Sequence, residues 1–369
     1  MYLNKIVVIT LVLFMLSLHV GTGYVSSQEN NLVIKEMGVF YVGGTITESN
    51  SSGMGGRGNT ASNNRNHIVT NQAKVNYFIP PEEKSPIVMV PGMGLSSNIY
   101  LTTPDGRNGW VFDFASAGYP VYTYDNSDLS VSGLNINQFD SGNSASLFKW
   151  TNEIIWQRFG IGKKPGEPYE NTKFPVESIN QTYSSFPAMI QNRGGGARGS
   201  GNIRGGNNSR SSGKVNFQQE SKANSSRKAT SQSADNLIKI LEKTDPAILI
   251  VHSMGGTTGF EVIRSRPELV KGIIAIEPVG SPTDKNIIKK YYKNIPYLAV
   301  YGDYIQSRNQ TGRMEACKTT AELIRENGGK GKVIELTKEG IDGNTHLMMW
   351  DKNSAQIAEK IVNWLGENL

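Results

Sequence analysis

Residues 248–260 read ILIVHSMGGTTGF. Four apolar residues, Ile248 to Val251, run into a histidine, a serine, two glycines and two threonines. A short apolar run bounded in this way predicts a strand buried on both faces. The small residues behind it predict an abrupt turn into a helix. Ser253 at that junction has two readings. Its hydroxyl can cap the helix, or it can be held up at the turn to attack an electrophile.

Outward from this stretch, strand and helix patterns alternate. Upstream, VIKEMGVFYVGG (33–44) and AKVNYFIPP (73–81) predict a hairpin. PIVMVPG (86–92) is a continuous apolar strand, followed by a helix near GWVFDFASAG (109–118) and the strand PVYTYD (120–125). SADNLIKILEKT (233–244) predicts a helix with Ser233 or Asp235 as its cap. Downstream come helix TTGFEVIRSR (257–266), strand GIIAIE (272–277), helix KNIIKKYY (285–292) and strand YLAVYG (297–302). Helix ACKTTAELIREN (316–327), strand KVIELT (332–337) and helix NSAQIAEKIVNWLGEN (353–368) follow. This alternation predicts an α/β fold, a mostly parallel sheet with helices on both faces. In such sheets reactive groups gather at the carboxyl ends of the strands.

Two stretches break the pattern, 48–66 and 192–231, both Gly, Ser, Asn and Arg with almost nothing apolar. They read as mobile insertions. The net charge of +6 resides in the second: eight basic residues between 191 and 230 oppose Glu220 alone. The remainder is about neutral, so the charge argues against a nucleic-acid partner for the body of the protein. Residues 126–191 differ again, carrying Phe139, Phe148, Trp150, Trp156, Phe159, Tyr169, Phe174 and Phe186. That aromatic content predicts an ordered cap over the site, or a packing elaboration away from it. At the amino terminus Lys5 precedes an apolar run, Ile6 to Val20, and then GTGYVSSQ (21–28). The order is that of a secretory signal over 1–27, with cleavage near Gly23 or Ser27; an uncleaved anchor is the alternative. The expectation is a periplasmic or extracellular protein with no stable membrane span after signal removal. Cys317 is the only cysteine, so no intramolecular disulfide forms. The domain division expected is thus 1–27 signal, 28–125 first core half, 126–191 cap, 192–231 basic insertion and 232–369 second core half.

A neutral serine needs a positioned base. The histidines are His19, His67, His252 and His346. His19 lies in the signal and His67 at the edge of an insertion. His252 adjoins the serine and, on a strand, should point to the opposite face. His346, in GIDGNTHLMMWDK (340–352) after the last strand, is the base that is left. That base needs a carboxylate. Glu277 ends the strand after the one that carries Ser253, and a right-handed crossover should set the two side by side, about 4.8 Å apart. Asp303, one strand later, is the alternative acid. Either can also serve as a helix cap, although Thr283 or Asp284 could cap in place of Glu277.

Two main-chain N–H groups would stabilise an oxyanion. Met254 supplies one at a helix start. Met93, with Gly94 as alternative, supplies the other from the loop PGMGLSS (91–97). That loop does not complete a dinucleotide fingerprint, because Ser97 stands where the third glycine belongs. The sequence holds no HExxH motif and no P-loop motif. No cofactor and no metal are implied. Met93, Met254, Met348 and Met349 suggest an adaptable apolar pocket, or core filler.

The segments VMVPGMGL, TTPDGRNGW, YPVYTYD, VHSMGG, IAIEP and THLMMWDKN resemble the α/β-hydrolase superfamily. Within it they are similar to small secreted bacterial esterases whose acid follows the sixth strand. The resemblance implies Ser253 as nucleophile, Glu277 as acid, His346 as base, and Met93 with Met254 as oxyanion donors. It implies a small ester as substrate and an acyl-enzyme route. Acyl transfer on the same fold, or a binding protein that has lost the chemistry, are the other readings. Three positions depart from the superfamily pattern: Val251 stands where glycine is usual, Pro91 where the oxyanion loop commonly has histidine, and this loop lacks the adjacent cysteines of some members. The Val251 side chain should crowd the next helix, with Gly255 and Gly256 leaving room.

Overall fold

The computed structural model describes residues 31–49, 66–139, 145–192 and 231–369. The segment read as a signal and nearly all of both expected insertions lie outside the described residues. The described residues from 34 onward belong to one compact unit.

Eight strands build the main sheet: β1 (Glu36–Glu48), β2 (His67–Ile79), β3 (Ile87–Val90), β4 (Val121–Asp125), β5 (Ala247–His252), β6 (Val270–Ile276), β7 (Tyr297–Tyr301) and β8 (Gly331–Glu335). Their order is β1-β2-β4-β3-β5-β6-β7-β8. All neighbours from β4 to β8 are parallel, while β2 is antiparallel to both β1 and β4. The sequence explains the division. β3, β5 and β7 are buried along their whole length, and β6 everywhere but Lys271. Their Val, Ile, Leu and Ala side chains are covered by helices on both faces. β1, at the edge, alternates and leaves Met37, Val39 and Tyr41 exposed. The hairpin is longer than expected: Glu48 pairs with His67, so both strands run on into the ends of the first insertion.

The helices that frame the sheet and the site include α1 (Trp110–Ser116), α2 (Asn152–Phe159), α3 (Gln232–Thr244), α4 (Gly255–Ser265), α5 (Lys285–Tyr291), α6 (Thr311–Glu326) and α7 (Ser354–Asn368). The cap of α3 comes earlier than expected. Ser231, not Ser233 or Asp235, takes the role, its Oγ accepting from Ala234 N at 3.3 Å. Ser233 Oγ donates instead to Asn126 at 2.9 Å. At α5 the cap is Asp284, which accepts from Asn286 N and Ile287 N. Glu277 is thereby free of capping duty. Among the described residues no helix is long and apolar enough to cross a membrane.

Strand order reverses at β3: the chain steps outward to β4, then returns to place β5 on the other side. The loop after β3 and the end of β5 therefore face each other at the carboxyl edge, where open α/β sheets form their crevice. The segment between β4 and α3 reaches this edge with α2, the short strand pair Ala145–Phe148 and Met189–Asn192, and the helix Ile179–Ser185.

Candidate active site

Ser253 and Glu277 come from adjacent strands in register. Ile276, the last residue of β6, pairs with His252, the last of β5, so Ser253 and Glu277 are each the first residue beyond their strand. Both have left-handed backbones, φ 50° at Ser253 and 41° at Glu277. Such conformations cost about 1–3 kcal/mol outside glycine and persist where the surroundings hold them. Here the main chain does so. Ser253 N donates to Ile276 O (3.0 Å), its carbonyl accepts from Gly256 N and Val279 N (3.0 and 2.8 Å), and Glu277 N donates to Val300 O (3.1 Å). The strand thus ends in a sharp elbow. Room for Val251 comes from a different glycine than expected. A Cβ on Gly259 would lie 2.7 Å from Val251 Cγ1, whereas Gly255 and Gly256 face main-chain carbonyls.

His346 lies in the long loop after β8, fully buried. The loop is fixed from within and from outside. Asp351 accepts from Thr345 N (2.7 Å), Thr345 Oγ1 (2.9 Å) and Asn344 Nδ2 (3.0 Å). Arg107 donates to the carbonyls of Trp350, Asp351 and Lys352, and Trp350 Nε1 donates to Thr102 O. The segments TTPDGRNGW and THLMMWDKN are therefore two halves of one clamp.

The structure brings His346 to Glu277 and not to Asp303. His346 Nδ1 is 2.5 Å from Glu277 Oε2, and Glu277 Oε1 accepts from Gly302 N at 2.9 Å. Asp303 is committed elsewhere, accepting from Tyr304 N (2.6 Å) and Gly343 N (3.1 Å). With the Nδ1 proton facing Glu277, the lone pair of Nε2 is left for a substrate proton. Burial alone would push the Glu277 carboxyl up. The buried Arg308 guanidinium, 2.7 Å away, together with His346 and Gly302 N–H, holds it well below the usual carboxylate range. Burial drives His346 down and Arg308 and Arg158 push the same way, against Glu277. The resting pair is an ionised Glu277 and a neutral His346.

His252 does not point away from the site. Its ring centroid is 4.5 Å from that of His346, and its Nε2 lies 2.8 Å from the His346 carbonyl oxygen. Nε2 is the protonated nitrogen, since the carbonyl only accepts. Burial holds this imidazole neutral. His252 is thus a strut under the His346 main chain.

Ser253 retains 7% exposure. Among the described residues no hydrogen bond joins its Oγ to the His346 ring; such contacts commonly close only when substrate binds. Neither Met93 N nor Met254 N has a main-chain acceptor among the described residues, and both residues line one cavity. The loop that carries Met93 passes so close to the elbow that a Cβ on Gly92 would lie 2.9 Å from Ser253 Cβ. Trp150 Nε1 donates to Met93 O at 2.9 Å and fixes that peptide plane. Farther along, Ser97 N and Oγ donate to Asp125 at 2.6 and 3.0 Å, and Asp125 is paired with Lys74. Ser97 is an anchor of the loop. Phe159 stacks on His346 at 5.9 Å, and its carbonyl accepts from His346 N. Met348 and Met349 are buried in the core and are not part of the cavity wall.

Sequence reasoning missed Arg308, His252, Trp150 and Phe159. The first stands in GDYIQSRNQ (302–310), a segment considered only for Asp303 as the alternative acid. Spacing gives no signal for the others. Trp150 meets Met93, and Phe159 meets His346, across long stretches of intervening chain.

No protein-family model matches the chain. It is 24% identical over 353 residues to a probable secreted lipase, phiG, of a fungal species, covering 79% of this chain and 85% of that protein. Among solved structures it is similar to a novel bacterial esterase, with a TM-score of 0.76 and 26% identity over 92% of this chain and 97% of the other. With its strand order, its elbow after the fifth strand and this likeness over nearly its whole described length, the chain has the α/β-hydrolase fold.

Proposed function

We propose that this chain is a serine hydrolase that cleaves carboxylic esters through an acyl-enzyme, with Ser253 as nucleophile, His346 as base and Glu277 as acid. The observation that carries the reading is the buried contact of His346 Nδ1 with Glu277, one strand from a strained, partly exposed serine. The esterase and lipase likenesses support the ester as substrate. Ser253 Oγ attacks the ester carbonyl carbon while its proton passes to His346 Nε2. The carbonyl oxygen becomes an oxyanion between the N–H groups of Met93 and Met254. Glu277 stabilises the imidazolium. The tetrahedral intermediate collapses, the C–O bond to the alcohol breaks, and His346 returns its proton to the departing oxygen. Water then repeats the sequence on the acyl-serine and releases the acid. Residues 126–191 act as a cap, since Trp150 and Phe159 support the oxyanion loop and the base. Export follows from the signal-like order of residues 1–27 and agrees with the secreted lipase it resembles.

Ser253→Ala tests the reading. Hydrolysis of p-nitrophenyl acetate should fall by about 10³-fold or more with the melting temperature preserved. A folded variant with ordinary turnover overturns it.

A further inference from the structure

A cavity of about 210 Å³ lies beside the elbow, walled by the loop after β3, the start of α4 and the residues that follow β4. Met93 and Met254 are in its wall, so on the reading above it is the space next to the oxyanion. Its lining includes Met93, Met254, Met189, Leu129 and Tyr124, with the polar Asn126, Ser233, Thr257 and Thr258. One group in the wall is charged. Asp128 lines the cavity, and its Oδ1 is buried with no hydrogen-bond partner.

The position of Asp128 is fixed by its main chain, whose carbonyl accepts from Ile190 N at 2.9 Å. Burial pushes the carboxyl up to about 6, opposed only by its own N–H. No lysine, arginine or histidine among the described residues pairs with it. Asp128 is half-buried, and a carboxylate oxygen buried without a partner is costly. Nothing in the proposed triad uses it, because Glu277 already holds His346. A charge kept in a binding cavity at such a cost makes sense if the substrate brings the counter-ion. The rest of the wall suits that ion. Thioethers are polarisable and adapt to N-alkyl groups.

From these placements we infer that the cavity takes the limb of an ester that carries a cationic nitrogen, with Asp128 as its counter-ion. The inference rests on the serine-hydrolase reading and names its substrate class. It predicts discrimination by charge between molecules of one shape.

The test compares esters with their carbon isosteres. Butyrylcholine and 3,3-dimethylbutyl butyrate place the charge, or its neutral copy, on the alcohol limb. Ethyl 4-(trimethylammonio)butyrate and ethyl 5,5-dimethylhexanoate do the same on the acyl limb. For one of the two pairs, kcat/KM of the intact chain should favour the cation by about tenfold or more. Asp128→Asn should bring that ratio to about one. Because the ratio is taken within each protein, a general loss of activity cancels. A measurement on the unaltered chain covers the case in which the variant does not fold. Choline or 4-(trimethylammonio)butyrate should inhibit hydrolysis of p-nitrophenyl acetate competitively, at about a tenth of the concentration that its own carbon isostere requires. The inference is overturned if neither cationic ester outpaces its isostere, if the preference survives Asp128→Asn, or if the isosteres inhibit equally well. Failure of the parent reading looks different: Ser253→Ala would then retain turnover on every ester, whatever its charge.

Discussion

Glu277→Gln keeps the size of the side chain and removes its charge, and the hydrogen bonds around it set the consequence. Three donors converge on the carboxylate: Gly302 N on Oε1, and His346 Nδ1 with Arg308 Nη2 on Oε2. An amide has one oxygen and one NH₂ group. If the oxygen faces His346 and Arg308, the NH₂ meets the Gly302 N–H, donor against donor. If it is reversed, the NH₂ faces His346 and forces the proton onto Nε2, which then cannot accept one from Ser253. The first arrangement leaves buried donors unpaired, at about 1–3 kcal/mol. The second disables the base, a change worth roughly 10⁴-fold in turnover in a serine-protease triad. In both, Arg308 is left as an uncompensated buried charge, a loss of about 3–5 kcal/mol of stability. The expectation is a fall in kcat of at least about a hundredfold, near 2.7 kcal/mol in the barrier, together with a lowered melting temperature. Asp303→Asn should cost less than about tenfold, because that carboxylate binds Tyr304 N and Gly343 N and not His346. Steady-state hydrolysis of p-nitrophenyl acetate and thermal unfolding measure both variants. If Asp303→Asn abolishes turnover and Glu277→Gln spares it, the reasoning is refuted and the acid follows the seventh strand.

The same geometry governs two further outcomes. His346 must be neutral to act, and burial with Arg308 and Arg158 depresses its pKa; the acid limb of kcat/KM should therefore lie below the ordinary histidine value, and Arg308→Gln should move it upward. A limb at or above that value in the unaltered chain would contradict the electrostatics. Gly259→Ala places a methyl 2.7 Å from Val251 Cγ1; overpacking of about 1–3 kcal/mol should outweigh a helix gain of about 1 kcal/mol. Chemical denaturation should show a net loss that Val251→Ala restores, and a stabilised Gly259→Ala would show that the elbow is not crowded.

The fold was legible because the central strands are short, continuous apolar runs separated by amphipathic helices, and both patterns are local. Ser253, His346 and Glu277 were legible for another reason. With so few histidines, elimination left one candidate base, and topology set Glu277 beside the serine with Asp303 as the alternative; their catalytic roles are the proposal made above. The orientation of His252 was misread because alternation along a strand stops at its last residue: Ser253 turns to φ 50°, and the ring before it packs against the His346 loop. The cap of α3 was misplaced because three candidate side chains lie within five residues, and only the path of the incoming chain separates Ser231 from Ser233 and Asp235. Arg308 and Trp150 act on residues far away in the chain, and no local pattern encodes such contacts. The compensation of Val251 by Gly259 is of the same kind, a side chain on β5 meeting the face of α4.

Covalent labelling tests the central claim most directly. The folded chain, treated with a fluorophosphonate and digested, should carry one phosphonyl group on Ser253, within the segment ILIVHSMGGTTGF. Its attachment should track the loss of esterase activity mole for mole. Glu277→Gln and changes at His346 should slow the labelling without moving it. Full inactivation with the label on another residue, or an active ester hydrolase that takes up no label, would contradict Ser253 as the nucleophile.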